Sequence, residues 1–132
     1  MTRKILIVDD EAHLRSLIYQ ALEELEDEGV ELMSVADGDE AVAAIESWNP
    51  DLVFLDVMMP KKSGFDVCFH TKHTLGLTGV YVVLLTAKGQ EYDRRRGREV
   101  CADLYMTKPF DPDALLGKAR EVLRVGTASC HE

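Results

Sequence analysis

Cysteine is scarce in this sequence, positive charge is in deficit, and long apolar runs are missing. The three cysteines, Cys68, Cys101 and Cys130, are odd in number and scattered. That pattern is a poor disulfide framework and has no zinc-ligand spacing, so we expect a reducing cytoplasmic setting. No apolar run approaches the ~18 residues that a membrane span needs, and no membrane insertion is expected. Met1 to Ile7 holds basic residues but no signal-peptide apolar stretch. Lys and Arg number 15 against 24 Asp and Glu, a net charge of -9. Phosphate binding wants a basic face, so a nucleic-acid duplex is not expected as a direct partner.

What is present is the composition of a folded protein. The 132 residues are 46% hydrophobic and 30% charged, which fits one compact domain with a core large enough to need neither metal nor disulfide for folding. The acidity is uneven. Residues 1–66 hold 5 basic and 16 acidic side chains, and residues 67–132 hold 10 and 8. An acidic excess permits plain solubility, and it also permits a carboxylate cluster that holds a metal.

Lys4 to Val8 is a β-branched, nearly all-apolar run, the mark of a strand buried on both faces. Leu14, Leu17, Ile18, Ala21, Leu22 and Leu25 then recur at helical spacing until Gly29. Val30 to Ala36 reads as a second strand, Asp37-Gly38 as a turn, and Ala41, Val42, Ile45 and Trp48 as a second helical stripe broken at Asn49-Pro50. Leu52 to Leu55 is a third strand ending in Asp56, and Phe65 to His73 a short helix. Val80 to Leu85 is a fourth strand ending at Thr86, Gln90 to Val100 a polar helix, and Asp103 to Met106 a short fifth strand before Lys108-Pro109. Ala114, Leu115, Ala119, Val122 and Leu123 pattern a fifth helix. Such alternation predicts an α/β fold, a doubly wound parallel sheet with helices on both faces. We expect this domain over residues 1–125 and a flexible C-terminal tail over 126–132.

In such sheets the site lies beyond the carboxyl ends of the strands. Asp9, Asp10, Asp37, Asp56, Thr86 and Lys108 fall there. Close carboxylates repel and need a cation between them. An all-oxygen set without His or Cys suits Mg2+ rather than zinc. With a hydroxyl from Thr86 and an ammonium from Lys108, the group is equipped to handle a phosphoryl group, which an Asp carboxylate can accept covalently. Singly, each residue has a plainer role, such as a helix cap, a turn or a surface lysine. Their convergence on one sheet edge favours the joint reading.

Over about residues 4–124 the sequence resembles the response regulator receiver domain of two-component signalling, in its single-domain, chemotaxis-regulator-like form. The resemblance rests on Ile5-Leu6-Ile7-Val8-Asp9-Asp10-Glu11, Leu55-Asp56-Val57-Met58-Met59-Pro60 with Gly64 following, Leu84-Leu85-Thr86-Ala87, and Tyr105-Met106-Thr107-Lys108-Pro109-Phe110. It implies a flavodoxin-like (βα)5 fold with strand order 2-1-3-4-5. It implies that Asp56 is the phosphoacceptor, fed by the phosphohistidine of a sensor histidine kinase or histidine phosphotransfer protein. By the same resemblance Asp10, Asp56 and the backbone carbonyl of Met58 hold Mg2+, and Asp9 acts largely through water. Lys108 pairs with Asp56 and then with the phosphoryl oxygens, and the Lys108-Pro109 bond is expected to be cis. Thr86 and Tyr105 form the switch pair. The surface from the fourth helix through the fifth strand and fifth helix meets a separate target protein.

Several positions depart from the family pattern. In the predicted fourth helix Arg95 and Arg98 stand where the family usually has apolar residues, and Arg94, Arg95, Arg96 and Arg98 form a basic run interrupted only by Gly97. They read either as a solvated face or as a weakly packed helix offering a basic patch to an acidic partner. Cys101 stands where glycine is usual, which predicts strain if φ is positive there. Leu104 replaces an acidic residue and reads as core. Met58 and Lys88 flank the expected path of an attacking water, and Met58 has no polar group to orient one, so slow self-dephosphorylation is expected. His13, His70, His73 and His131 read as surface residues.

Two other functions compete with the phospho-switch. A Mg2+-dependent aspartyl-phosphate phosphohydrolase on this fold usually needs a second Asp two residues after the nucleophile, where this chain has Met58. A flavodoxin-like electron carrier would have a Ser/Thr/Gly-rich loop in place of Asp9-Asp10-Glu11. We therefore expect a phosphoacceptor rather than an enzyme. About eight residues follow the last patterned helix, so its signal is expected to leave by protein contact.

Overall fold

A computed structural model describes residues 3–59, 61–87, 99–108 and 111–125. Five parallel strands form one sheet in the order β2-β1-β3-β4-β5: β1 Arg3–Val8, β2 Val30–Val35, β3 Leu52–Asp56, β4 Tyr81–Ala87 and β5 Leu104–Lys108. The order places β1 and β3 at the centre, where their runs of buried apolar side chains belong.

The pleat splits those runs between two cores. Ile5, Ile7, Leu52, Phe54, Val83 and Leu85 face one side. There they meet Ile18 and Leu22 of α1 (Ala12–Leu22) and Leu115 and Ala119 of the C-terminal helix (Pro112–Val125). Leu6, Val8, Val53, Leu55 and Leu84 face the other, against Ala41 and Ile45 of α2 (Gly38–Trp48) and Val67 of α3 (Gly64–Phe69). Alternate residues of each strand serve opposite layers, so both faces of the sheet are covered.

Local chemistry sets the helix ends. A 3-10 turn over Glu23–Glu28 follows α1 and closes at Gly29, whose φ of 90° suits glycine. Asp37 does more than turn the chain: its side chain accepts from the Glu40 amide at 2.8 Å and caps α2. Ser63 and Asp66 form a reciprocal capping box at the start of α3. α3 then widens into a π-turn over His70–Thr74, which carries Thr71 and Lys72 into the interior.

Two strands run past their predicted ends. β4 extends through Ala87 and β5 through Lys108, because Thr86 pairs with Thr107 and Ala87 with Lys108 in the parallel ladder. In sequence the polar residues there read as a strand exit, but backbone pairing continues through them. Lys108 is therefore the last residue of β5, not a loop residue beyond it. Cys101 does adopt a left-handed backbone, with φ 63°. Leu104 packs, partly buried, against the core on the α1 side. The predicted helix over Gln90 to Val100 falls mostly outside the described residues, as do the Arg94–Arg98 run, Lys88, the Lys108-Pro109 bond and the tail.

Candidate functional site

β1 ends at Val8, so Asp9 and Asp10 leave the sheet between its two central strands, beside Asp56 at the end of β3. Asp9 and Asp56 are buried and Asp10 is exposed. One carboxylate oxygen from each of the three lies within 4.8 Å of the others. From the end of β5, the Lys108 ammonium donates to Asp9 Oδ2 at 3.2 Å and to Asp56 Oδ1 at 3.1 Å. Asp56 Oδ1 also accepts from the Met58 amide at 3.3 Å, and Asp9 Oδ1 from the Glu11 amide at 2.9 Å.

The loop after β3 is pressed against this end of the sheet. Gly64 donates to the Val57 carbonyl at 2.9 Å. A Cβ at Gly64 would collide with the Asp56 carbonyl, so glycine permits the approach. Lys61 pairs with Asp37 at 3.3 Å and Lys62 with Asp39 at 3.7 Å, joining the loop to the start of α2.

Electrostatics follow from this crowding. Burial and the neighbouring Asp9 push the Asp56 carboxyl up to about 6, against the opposing pull of Lys108 and the Met58 amide. Burial works against the Lys108 charge, but Asp56 and Asp9 outweigh it and hold the ammonium above its ordinary value. Three carboxylates against one ammonium leave an excess of negative charge at the site. An all-oxygen set with surplus charge and an exposed side at Asp10 fits a hard divalent cation such as Mg2+.

The structure thus brings Asp9, Asp10, Asp56 and Lys108 together. Thr86 stands buried at the same edge, on β4. Tyr105 packs against the core on the α2 and α3 side, with its hydroxyl oxygen shielded from solvent. The Met58 side chain projects outward, 62% exposed. Asp37 lies apart from the carboxylate cluster, engaged with Glu40 and Lys61. Of the histidines, His70 meets Glu46 at 3.0 Å on the surface, His73 stacks on Phe69 and His13 is exposed; His131 is outside the described residues. Sequence reasoning missed Arg15, whose guanidinium donates to the Asp9 carbonyl at 2.7 Å. Its place in the first turns of α1, six residues after Asp9, was the available signal.

The model of the response regulator receiver domain matches residues 5–120. The chain belongs to that family. It is 39% identical over 94% of its length to the alkaline phosphatase synthesis transcriptional regulatory protein PhoP of Bacillus subtilis, and covers 50% of that protein. It is 40% identical over 94% of its length to the phosphate regulon transcriptional regulatory protein PhoB of Escherichia coli, and covers 53% of it. The chain therefore spans about half the length of these relatives. Among solved structures it is similar to chemotaxis response regulator CheY4 of Vibrio cholerae, with TM-score 0.80 and 29% identity over 92% of this chain and 99% of that one. The flavodoxin-like order 2-1-3-4-5 and the membership in two-component signalling are thereby established. Receiver domains are regulatory phosphoacceptors rather than enzymes in the ordinary sense, and they bind Mg2+ at an acidic pocket. No helix among the described residues is long and apolar enough to cross a membrane.

Proposed function

We propose that this domain accepts a phosphoryl group on Asp56 from a phosphohistidine of a sensor kinase or phosphotransfer protein and passes the signal on through a changed surface. The observation that carries the proposal is the Lys108 ammonium set 3.1 Å from Asp56 Oδ1 and 3.2 Å from Asp9 Oδ2, beside a third carboxylate at Asp10.

An Asp56 oxygen attacks phosphorus and the P–N bond to the donor imidazole breaks; the imidazole, protonated from solvent on its other ring nitrogen, keeps the bonding pair and leaves as a neutral group. The transition state is loose, with charge on the equatorial oxygens. Lys108 stabilises that charge, and the Thr86 hydroxyl donates to a product oxygen. Asp10, Asp56 and the Met58 carbonyl would hold Mg2+, with Asp9 at one remove. Bound there, Mg2+ neutralises the carboxylate excess and screens the incoming phosphate from it.

Phosphorylation adds roughly one negative charge and new acceptor oxygens to an edge where β4 and β5 end. Movement of Thr86 toward those oxygens, with Tyr105 filling the space behind it, biases β5 and its flanking helices toward a target-binding state. The reading assigns the target to a separate protein, and it places the domain in the cytoplasm, where ATP-fed kinases make phosphohistidine. A phosphohydrolase is disfavoured because Met58, where a general acid would stand, carries no proton to give.

Incubation with Mg2+ and a small phosphodonor, followed by intact mass measurement, tests the proposal. Wild type is expected to gain one phosphoryl group, and Asp56→Asn none. A wild type that gains nothing, or a mutant that gains as much, would remove the proposal.

A further inference from the structure

β5 carries two proposed site residues, Tyr105 and Lys108, yet it is a five-residue edge strand with β4 as its one neighbour. None of its side chains is fully buried. A strand without a deeply buried face specifies its register weakly, and a slip by one residue turns every side chain over. Such a slip would also displace Lys108 by about 3.3 Å along the strand, out of reach of Asp56.

The entrance to β5 is bound by a different set of contacts. The Asp103 amide donates to the Val82 carbonyl at 3.0 Å, and Asp103 Oδ2 accepts from the Val82 amide at 2.8 Å. The same oxygen accepts from Lys72 Nζ at 2.8 Å. Lys72 also donates to the Val80 carbonyl at 2.5 Å and the Thr78 carbonyl at 3.3 Å. Its side chain is completely buried, and its three acceptors match the three protons of an ammonium. One residue group therefore ties the turn after α3, the approach to β4 and the start of β5 together. Cys68 adds a contact from α3, its Sγ 3.4 Å from the Val100 carbonyl.

We infer that Lys72 is a positioning residue for Lys108: by clamping Asp103 to β4 it sets the register of β5, and through that strand the place of the Lys108 ammonium. The inference rests on the receiver reading above, since that reading defines what Lys108 does. Lys72 lies at the opposite end of the sheet from the carboxylates and touches neither donor nor phosphoryl group. Its influence is carried by five residues of paired backbone.

The variant Lys72→Met/Asp103→Asn tests it. Both charges are removed together, and the Asn oxygen can still accept from the Val82 amide, so no buried charge is stranded. Wild type and variant are compared at a temperature where circular dichroism shows both folded. Hydrogen exchange across Leu104–Lys108 is expected to speed up by about tenfold or more, with Arg3–Val8 unchanged. The rate of phosphoryl gain at saturating Mg2+ is expected to fall by about tenfold or more, since misplacement by about an ångström suffices for that. Mg2+ affinity, measured by calorimetry, should hold, because it draws on Asp10, Asp56 and Met58 rather than Lys108. Unchanged protection in β5, or an unchanged rate in the folded variant, overturns the inference. If the double variant does not fold, Lys72→Gln/Asp103→Asn, which also strands no charge and keeps a donor at position 72, is judged by the same two readings. If wild type gains no phosphoryl group, the receiver reading of the site falls, and β5 protection alone decides the role of Lys72.

Discussion

Two lysines bracket β5. Lys72 meets Asp103 at its entrance, and Lys108 meets Asp9 and Asp56 at its exit. At the entrance the charges balance: one ammonium faces one carboxylate, the remaining donors go to carbonyls, and the lysine side chain is fully enclosed. At the exit they do not, with three carboxylates around one ammonium that is 20% exposed. A satisfied buried pair has nothing left to offer a ligand, so it can only hold structure. A surplus of carboxylate open to solvent is incomplete without a cation, and that incompleteness makes a binding site. The same two residue types thus serve opposite ends of one strand in opposite ways.

Breaking the balanced end should cost most. Lys72→Met leaves Asp103 buried without its counter-charge and is expected to destabilise the fold by about 3–5 kcal/mol in urea melts. Lys108→Met should cost less, because Asp56 can take up a proton and Asp10 is already in solvent. Equal costs would erase the distinction between the two ends.

The unbalanced end should respond to pH and metal instead. The folded-state value for Asp56 is about 6, against an ordinary 3.8. Its contribution to stability is therefore complete below about pH 4 and lost as pH rises through about 6, a loss of about 3 kcal/mol. In chelator, Asp56→Asn should accordingly be more stable than wild type at pH 7.5, and the gap should close near pH 4. A gap independent of pH would mean that Asp56 is not under strain from its neighbours. Mg2+ should restore the loss in wild type, by about 2.7 kcal/mol at a hundred times its Kd, and should stabilise Asp10→Asn far less. Equal stabilisation of the two would place the metal elsewhere.

The smallest expected change concerns the exposed Met58. Asn there offers a polar group beside Asp56, and Met58→Asn should shorten the phosphoryl lifetime by a few-fold, read as loss of phosphoprotein over time. An unchanged lifetime would take Met58 out of the account.

The exit of β5 was legible in the sequence, and the entrance was not. Asp9, Asp10 and Asp56 each follow an unmistakable apolar strand, and the chain direction of a parallel sheet gathers strand ends on one edge. Lys108 was found by the same rule, though as a loop residue, because Thr107 and Lys108 look too polar to pair. Asp37 shared the edge by sequence but was claimed by the cap of α2, a competition that spacing alone does not decide. Lys72 sits among His70, Thr71 and His73, a stretch that reads as solvated helix. Its burial depends on the π-turn after α3, which shifts the helical register inward and leaves no trace in periodicity. Arg15 was passed over for a related reason: its partner is a backbone carbonyl, which no residue type announces.

The central claim is that Asp56 is the residue that takes the phosphoryl group. An aspartyl phosphate is an acyl phosphate, and borohydride reduces it to homoserine while leaving free carboxylates untouched. Wild type treated with Mg2+ and a small phosphodonor, then with borohydride, should on peptide mapping carry homoserine at position 56 alone. Homoserine at Asp9 or Asp10, or at no position in a protein that has gained phosphoryl mass, would contradict the account.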